Sequence, residues 1–368
     1  MLNQYVDELR RLLKKKMSDF LKPRKGISGS SGYLSPQIDV SVRLNANEAP
    51  DGSSKGFTAE HELNLNRYPD RSAGKLREEI AKKYGIFANQ VFAANGSNEV
   101  LQNFLLTYGG SERSLMVFKP TYVMHSKIAA ITGTPVIEGE RELDFSLNVE
   151  STCEKIIEYK PSLIFLCSPN NPTGLPEPKE LPERILEILE TYKGILLIDE
   201  AYGEFADTSF LSLLSEDHPL VISRTFSKAM GLAGLRLGYL LGPSWCIDEV
   251  GKVSLPYHLG TITQELGLEA LKDSVSLEKR VTDIIKERDR ISESLRKFSL
   301  EVWPSETNFI LFKAKNQDAR QIWEELISRS ILIRDFSMVD GLEGCLRVTV
   351  GKRSENDLFI EALGEILK

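Results

Sequence analysis

Four short segments carry side chains able to do chemistry, and each closes an apolar run. They are Asn95-Gly96-Ser97-Asn98, the stretch SPNNPTG from Ser168 to Gly174, Asp199-Glu200-Ala201-Tyr202, and Arg224-Thr225-Phe226-Ser227-Lys228. Together they offer an amide, an acid, a phenol and a lysine. Lys228 sits between Ser227 and Ala229, just ahead of the glycines of AMGLAGLRLGY, where a bulky group can approach the backbone. A lysine in such a setting can condense with an aldehyde. The plainer alternative is a solvated surface lysine.

The aldehyde most often used this way is pyridoxal phosphate, and its binding sets further demands. Its ring nitrogen stays protonated beside a carboxylate, for which Asp199 is the candidate. Its phenolic oxygen takes donors, and Asn171 and Tyr202 are available. Its phosphate suits a helix N-terminus and a fixed cation. Gly96, Ser97 and Asn98 open a helical pattern, while Thr225, Ser227 and Arg236 add hydroxyls and a guanidinium. Tyr122, after the run SLMVFKP, can cover the ring. Singly each has a blander reading: Asp199 as a cap, Asn171 as a turn residue, Arg236 as a surface ion pair. Jointly they form a constellation, because five separate requirements are met at matching segment ends.

Those ends imply the elements that carry them. SLMVFKP, SLIFLCSP, GILLIDEAY and PLVISRT are continuous apolar runs, suited to strands covered on both faces. Helical patterns such as AGKLREEIAKKYG and SNEVLQNFLLTYGG alternate with them. The prediction is an α/β fold with a mostly parallel sheet, whose ligands sit beyond the carboxyl ends of the strands. After about Ser254 the texture changes. A helical stretch from Thr261 to Lys297 precedes the strand-like NFILFKA and CLRVTV, which flank the helix pattern DARQIWEELISRS. This reads as a smaller α+β domain. The expected division is 57–258 for the large domain, with 1–56 and 259–368 forming the small domain and N-terminal arm. GISGSSG, from Gly26 to Gly32, reads as a linker.

Composition closes off other classes. The 368 residues include 46 Lys+Arg and 53 Asp+Glu, a net charge of −7. That gives no global attraction to nucleic acid or anionic lipid, so an anion must be held locally. No apolar run approaches the roughly 20 residues of a membrane helix. Cys153, Cys167, Cys246 and Cys345 are scattered, as are His61, His125, His218 and His258, so neither a disulfide framework nor a metal site is expected. Reduced thiols in the cytoplasm are the plain reading.

SPNNPTG, DEAY and RTFSKAMGLAGLRLGY resemble the fold-type-I pyridoxal-phosphate aminotransferases, whose fold is aspartate-aminotransferase-like. LNANEAP, NRYPD, ANGSNEVL, PTY, SETNFI, ILIRD and GCLRVTVG extend the resemblance to the histidinol-phosphate aminotransferase family over residues 33 to 352. The resemblance implies a large cofactor-binding domain, a small domain built from both chain ends, and a homodimer. It makes Lys228 the Schiff-base lysine and proton shuttle, with Asp199 on the pyridinium, Asn171 and Tyr202 on the ring oxygen, and Tyr122 stacked on the ring. Gly96, Ser97, Asn98, Thr225, Ser227 and Arg236 then surround the phosphate. Tyr68 matches a tyrosine that reaches this phosphate from the neighbouring subunit.

Arg334 and Arg347 match the family arginines that hold the anionic end of the substrate. Two planar forks suit a dianionic phosphate, whereas one suits a carboxylate. Tyr33 matches a tyrosine near that phosphate, although Gly32 stands where the family has proline. Asn47 is expected near the substrate. The activity so implied is amino transfer between L-histidinol phosphate and 2-oxoglutarate, in histidine biosynthesis. An aromatic amino-acid aminotransferase and a phospho-amino-acid decarboxylase are the alternatives on the same scaffold.

Overall fold

A computed structural model describes residues 38–52 and 65–368, so Tyr33, the Gly26–Gly32 linker and most of the N-terminal arm lie outside the described residues. Twelve strands are present among the described residues. They are β1 (Val42–Leu44), β2 (Val91–Ala94), β3 (Leu115–Lys119), β4 (Val136–Glu140), β5 (Leu163–Cys167) and β6 (Ile195–Asp199). β7 (Leu220–Thr225), β8 (Gly238–Leu241), β9 (Leu300–Val302), β10 (Phe309–Ala314), β11 (Ile331–Asp335) and β12 (Cys345–Thr349) follow.

Seven strands form one sheet in the order β2-β8-β7-β6-β5-β3-β4. The run β7-β6-β5-β3-β4 is parallel, and only β8 opposes its neighbours. Every residue of β5, β6 and β7 is buried. Alternate residues feed different cores: Leu163, Phe165, Leu197 and Val221 join one cluster, and Ile164, Leu166, Leu196, Ile198 and Ile222 the other. Both faces are therefore covered, which is why the sequence shows continuous apolar runs and no alternation. Because β5, β6 and β7 are parallel, Cys167, Asp199 and Thr225 end on a single rim. This agrees with the α/β, mostly parallel architecture read from the sequence.

The second sheet has the order β1-β11-β12-β10-β9. β1 joins β11 in parallel and the remaining pairs are antiparallel. Only β10 and β12 stand out as apolar runs. β1 and β9 are three residues long, and β11 has only Ile331, Leu332 and Ile333 before its charged end. The Trp323 indole donates to the Ile333 carbonyl at 2.9 Å, tying the helix Ala319–Ser328 to this sheet.

One expected element divides in two. The stretch from Thr261 to Lys297 forms helices Thr261–Leu271 and Ser274–Leu295. Asp273 leaves helical geometry, and its side chain accepts from the Ser276 amide at 3.4 Å, starting the second helix as an N-cap. Helical periodicity continues across such a break, so the pattern alone hides it.

Candidate active site

The end of β6 places Asp199 at the floor of the site, 1% exposed. Ser223, its register partner on β7, donates its hydroxyl to Asp199 Oδ1 at 2.8 Å. His125 Nε2 lies 3.1 Å from Oδ2. A carboxylate only accepts, so that nitrogen carries the proton and donates. His125 sits in the first turn of the helix Met124–Thr132 and is fully buried. Its ring meets the edge of Tyr122 at 5.5 Å between centroids. His125 is not among the residues that the sequence singles out. Its spacing, three residues after Tyr122 at a helix start, was the available signal.

Above this floor, the helix Ser97–Tyr108 begins at Gly96, whose φ is +83°. A Cβ on Gly96 would come within 2.6 Å of Arg236 Nη2. Gly238 is equally constrained: its Cβ would fall 2.4 Å from the Ser97 amide nitrogen. Glycine at both points lets the helix N-terminus, the Arg236 guanidinium and β8 crowd together. Arg236 donates to Ser227 Oγ at 3.4 Å and to the Ala233 carbonyl at 3.0 Å. Thr225 Oγ1 donates to the Leu237 carbonyl at 3.3 Å and accepts from the Ser227 amide at 3.1 Å. Amides, hydroxyls and a cation thus converge as a cup for an anion. Asn98 belongs to the same rim, accepting from the Tyr122 hydroxyl at 3.1 Å.

Lys228 follows β7 and points toward the loop after β1. Its Nζ donates to the carbonyls of Ala46 and Asn47 at 3.1 and 3.0 Å and lies 5.7 Å from the Tyr202 ring centroid. Burial drives its pKa down to about 7, helped by the positive charges of Arg347 and Arg236, while Glu48 pulls the other way. A near-neutral amine flanked by two cations can both attack a carbonyl and carry a proton. The Tyr202 hydroxyl accepts from Asn47 Nδ2 at 2.9 Å and from Asn171 Nδ2 at 3.4 Å, leaving its own proton to donate. Asn47 is held by Thr349 of β12 and by Asn308, at 2.9 and 3.1 Å.

Arg347 is buried on β12, donating to the Asn171 side chain and, at 3.1 Å, to the Asn45 carbonyl. Arg334 on β11 stands directly opposite it in register. Lys228, Asn47, Tyr202, Asn171 and Arg347 form one hydrogen-bonded set, with Arg334 opposite Arg347 in register; Asp199 is joined through His125 to Tyr122 and Asn98, and Arg236 to Ser227 and Thr225 beside Gly96 and Ser97. Tyr68 stands apart from it. This ring is 81% exposed and stacks on Tyr257 at 4.6 Å. Among the described residues no group of three or more side chains could hold a metal ion.

These residues fit pyridoxal 5′-phosphate. A buried carboxylate braced by two donors, a cup that a single Cβ would block, and a lysine of lowered basicity match its ring nitrogen, phosphate and aldehyde. The fold and the site together define a pyridoxal-phosphate-dependent aminotransferase of fold type I. Accordingly, the family model for aminotransferase class I and II matches residues 39–363. The chain is 41% identical over 367 residues to a histidinol-phosphate aminotransferase of Frankia casuarinae, covering 95% of this chain and 91% of that one. It is also 41% identical to one from Streptomyces avermitilis, covering 95% and 98%. The chain belongs to the histidinol-phosphate aminotransferase family. The fold is shared with the crystal structure of the Sinorhizobium meliloti histidinol-phosphate aminotransferase in complex with pyridoxal-5′-phosphate. That match has a TM-score of 0.82 at 22% identity and covers 95% of this chain and 99% of that one.

Proposed function

We propose that the protein transfers an amino group between L-histidinol phosphate and 2-oxoglutarate, with glutamate and imidazole-acetol phosphate reacting in the biosynthetic direction. The observation that carries this reading is the pairing of Arg334 with Arg347, whose charge acts on Lys228. Two guanidiniums aimed at one place suit a dianion, where a single one suffices for a carboxylate.

Bound pyridoxal 5′-phosphate supplies an aldehyde and a protonated ring that draws electrons from the substrate Cα. Lys228 Nζ takes the proton from that carbon, and it can do so near neutral pH because burial and the two cations have lowered its basicity. Asp199 keeps the ring nitrogen charged, with His125 and Ser223 fixing the carboxylate. Tyr202 and Asn171 donate to the ring oxygen, and Tyr122 covers the ring face. Gly96, Ser97, Asn98, Thr225, Ser227 and Arg236 hold the cofactor phosphate. Asn47 faces the substrate.

We further read the seven-stranded sheet as the large domain, about 57–258, and the five-stranded sheet as the small one, with the active unit a homodimer. Tyr68 of a second copy then reaches the phosphate cup, which accounts for a tyrosine left so exposed on its own chain. The cytoplasm is the proposed location, in keeping with four free, buried cysteines.

Incubation of the purified enzyme with glutamate and imidazole-acetol phosphate tests the reaction. L-Histidinol phosphate and 2-oxoglutarate should appear in equal amounts. Carbon dioxide released from a phospho-amino acid without any oxo-acid would instead identify a decarboxylase.

A further inference from the structure

Arg334 and Arg347 face each other across an antiparallel strand pair, so their side chains rise from the same face of the sheet. Like charges directly opposite one another destabilise such a pair, and an aromatic ring lies close to both. The Arg347 guanidinium carbon is 5.3 Å from the centroid of Phe336, and that of Arg334 is 5.6 Å from the same ring. Phe309 covers Arg347 as well, at 4.8 Å. An aromatic face is electron-rich and attracts a cation within about 6 Å.

Phe336 is itself well anchored. Its amide donates to the Cys345 carbonyl at 3.1 Å, extending the strand ladder, and its ring packs against the cluster of Phe145, Trp303, Leu311, Leu342 and Cys345. The next residue is pinned too, since the Ser337 amide donates to Asp335 Oδ1 at 2.8 Å.

We propose that Phe336 is a positioning residue that sets the spacing of the two guanidiniums, and thereby tunes the site for a phosphate dianion over a neutral hydroxyl. This rests on the substrate reading above. It adds a residue that touches neither substrate nor cofactor, acting only through Arg334 and Arg347.

The test compares kcat/KM for L-histidinol phosphate and unphosphorylated L-histidinol in the wild-type holoenzyme, Phe336→Leu and Phe336→Tyr. Phe336→Leu should lower the preference for the phosphorylated donor about tenfold, through KM with kcat nearly unchanged. Phe336→Tyr, which keeps the aromatic face, should stay within about twofold of wild type. If Phe336→Leu does not fold, Phe336→Met replaces it. Equal losses toward both donors, an unchanged preference, or a Phe336→Tyr loss as deep as that of leucine would overturn the proposal. A wild-type enzyme that shows no preference for the phosphorylated donor would overturn the substrate reading, and this inference with it.

Discussion

Among single residues, Lys228 carries the proposed chemistry. A lysine of ordinary pKa near 10.4 has roughly one amine in 2,500 uncharged at pH 7. With its pKa near 7, about half of the Lys228 side chains are neutral there. In cofactor-free protein, Lys228 should therefore be the fastest lysine labelled by an amine-selective reagent. Its rate should rise through about pH 7 and level above it. Arg347→Gln removes one of the cations that depress the pKa, so the midpoint should move upward. A labelling profile like that of surface lysines would contradict the geometry. Gly96 gives a second residue-scale expectation. In Gly96→Ala, a methyl group 2.6 Å from Arg236 Nη2 and a left-handed φ together oppose the cup, so cofactor affinity should fall by tenfold or more while the fold persists. Equilibrium dialysis of pyridoxal phosphate against the variant would reveal it.

At the scale of elements, the ends of β6 and β7 are locked by a buried ion pair. Arg224 Nε donates to Glu200 at 3.1 Å and Nη1 to Glu204 at 3.2 Å, while Glu200 also accepts from the Phe210 amide at 2.7 Å. The pair lies one residue beyond the Asp199–Ser223 register match, so it holds the carboxylate floor and the phosphate cup in fixed relation. Arg224→Met leaves the buried Glu200 carboxylate without its cation and should cost about 3–5 kcal/mol of stability. Thermal unfolding of the holoenzyme would show a clear drop, and an unchanged transition would mean the pair is dispensable.

How legible this was in the sequence follows from the same elements. The strand-end motifs announce themselves because each buried run stops abruptly at polar residues, so Asp199, Asn171 and Lys228 stand out directly as candidates. His125 offers only its spacing after Tyr122, because its contact with Asp199 exists only where the helix Met124–Thr132 comes against the end of β6. The Glu200–Arg224 pair needs the β6–β7 register, which no local pattern encodes. β1 and β9 are too short, and β11 too mixed, to separate from loops. The break at Asp273 interrupts a helix without disturbing its periodicity.

At the scale of the whole molecule, the net charge of −7 would argue against two phosphorylated ligands if charge acted globally. In the proposed reading placement resolves this: Arg236 with the helix start at Ser97 would serve one anion, and Arg334 with Arg347 the other. Assembly is the remaining element of the whole. Leu65, Tyr68, Leu255 and Tyr257 are exposed, and in the proposed dimer a second copy covering them would bury that surface. Sedimentation at micromolar concentration should give about twice the 41.3 kDa chain mass, and Tyr68→Phe should weaken cofactor binding in the dimer. A monomer with full activity would contradict this arrangement. Substrate choice is decided by the ratio of kcat/KM for L-histidinol phosphate to that for phenylalanine. The paired arginines predict a ratio well above one. A preference for phenylalanine of about tenfold, near 1.4 kcal/mol in transition-state binding, would contradict the account.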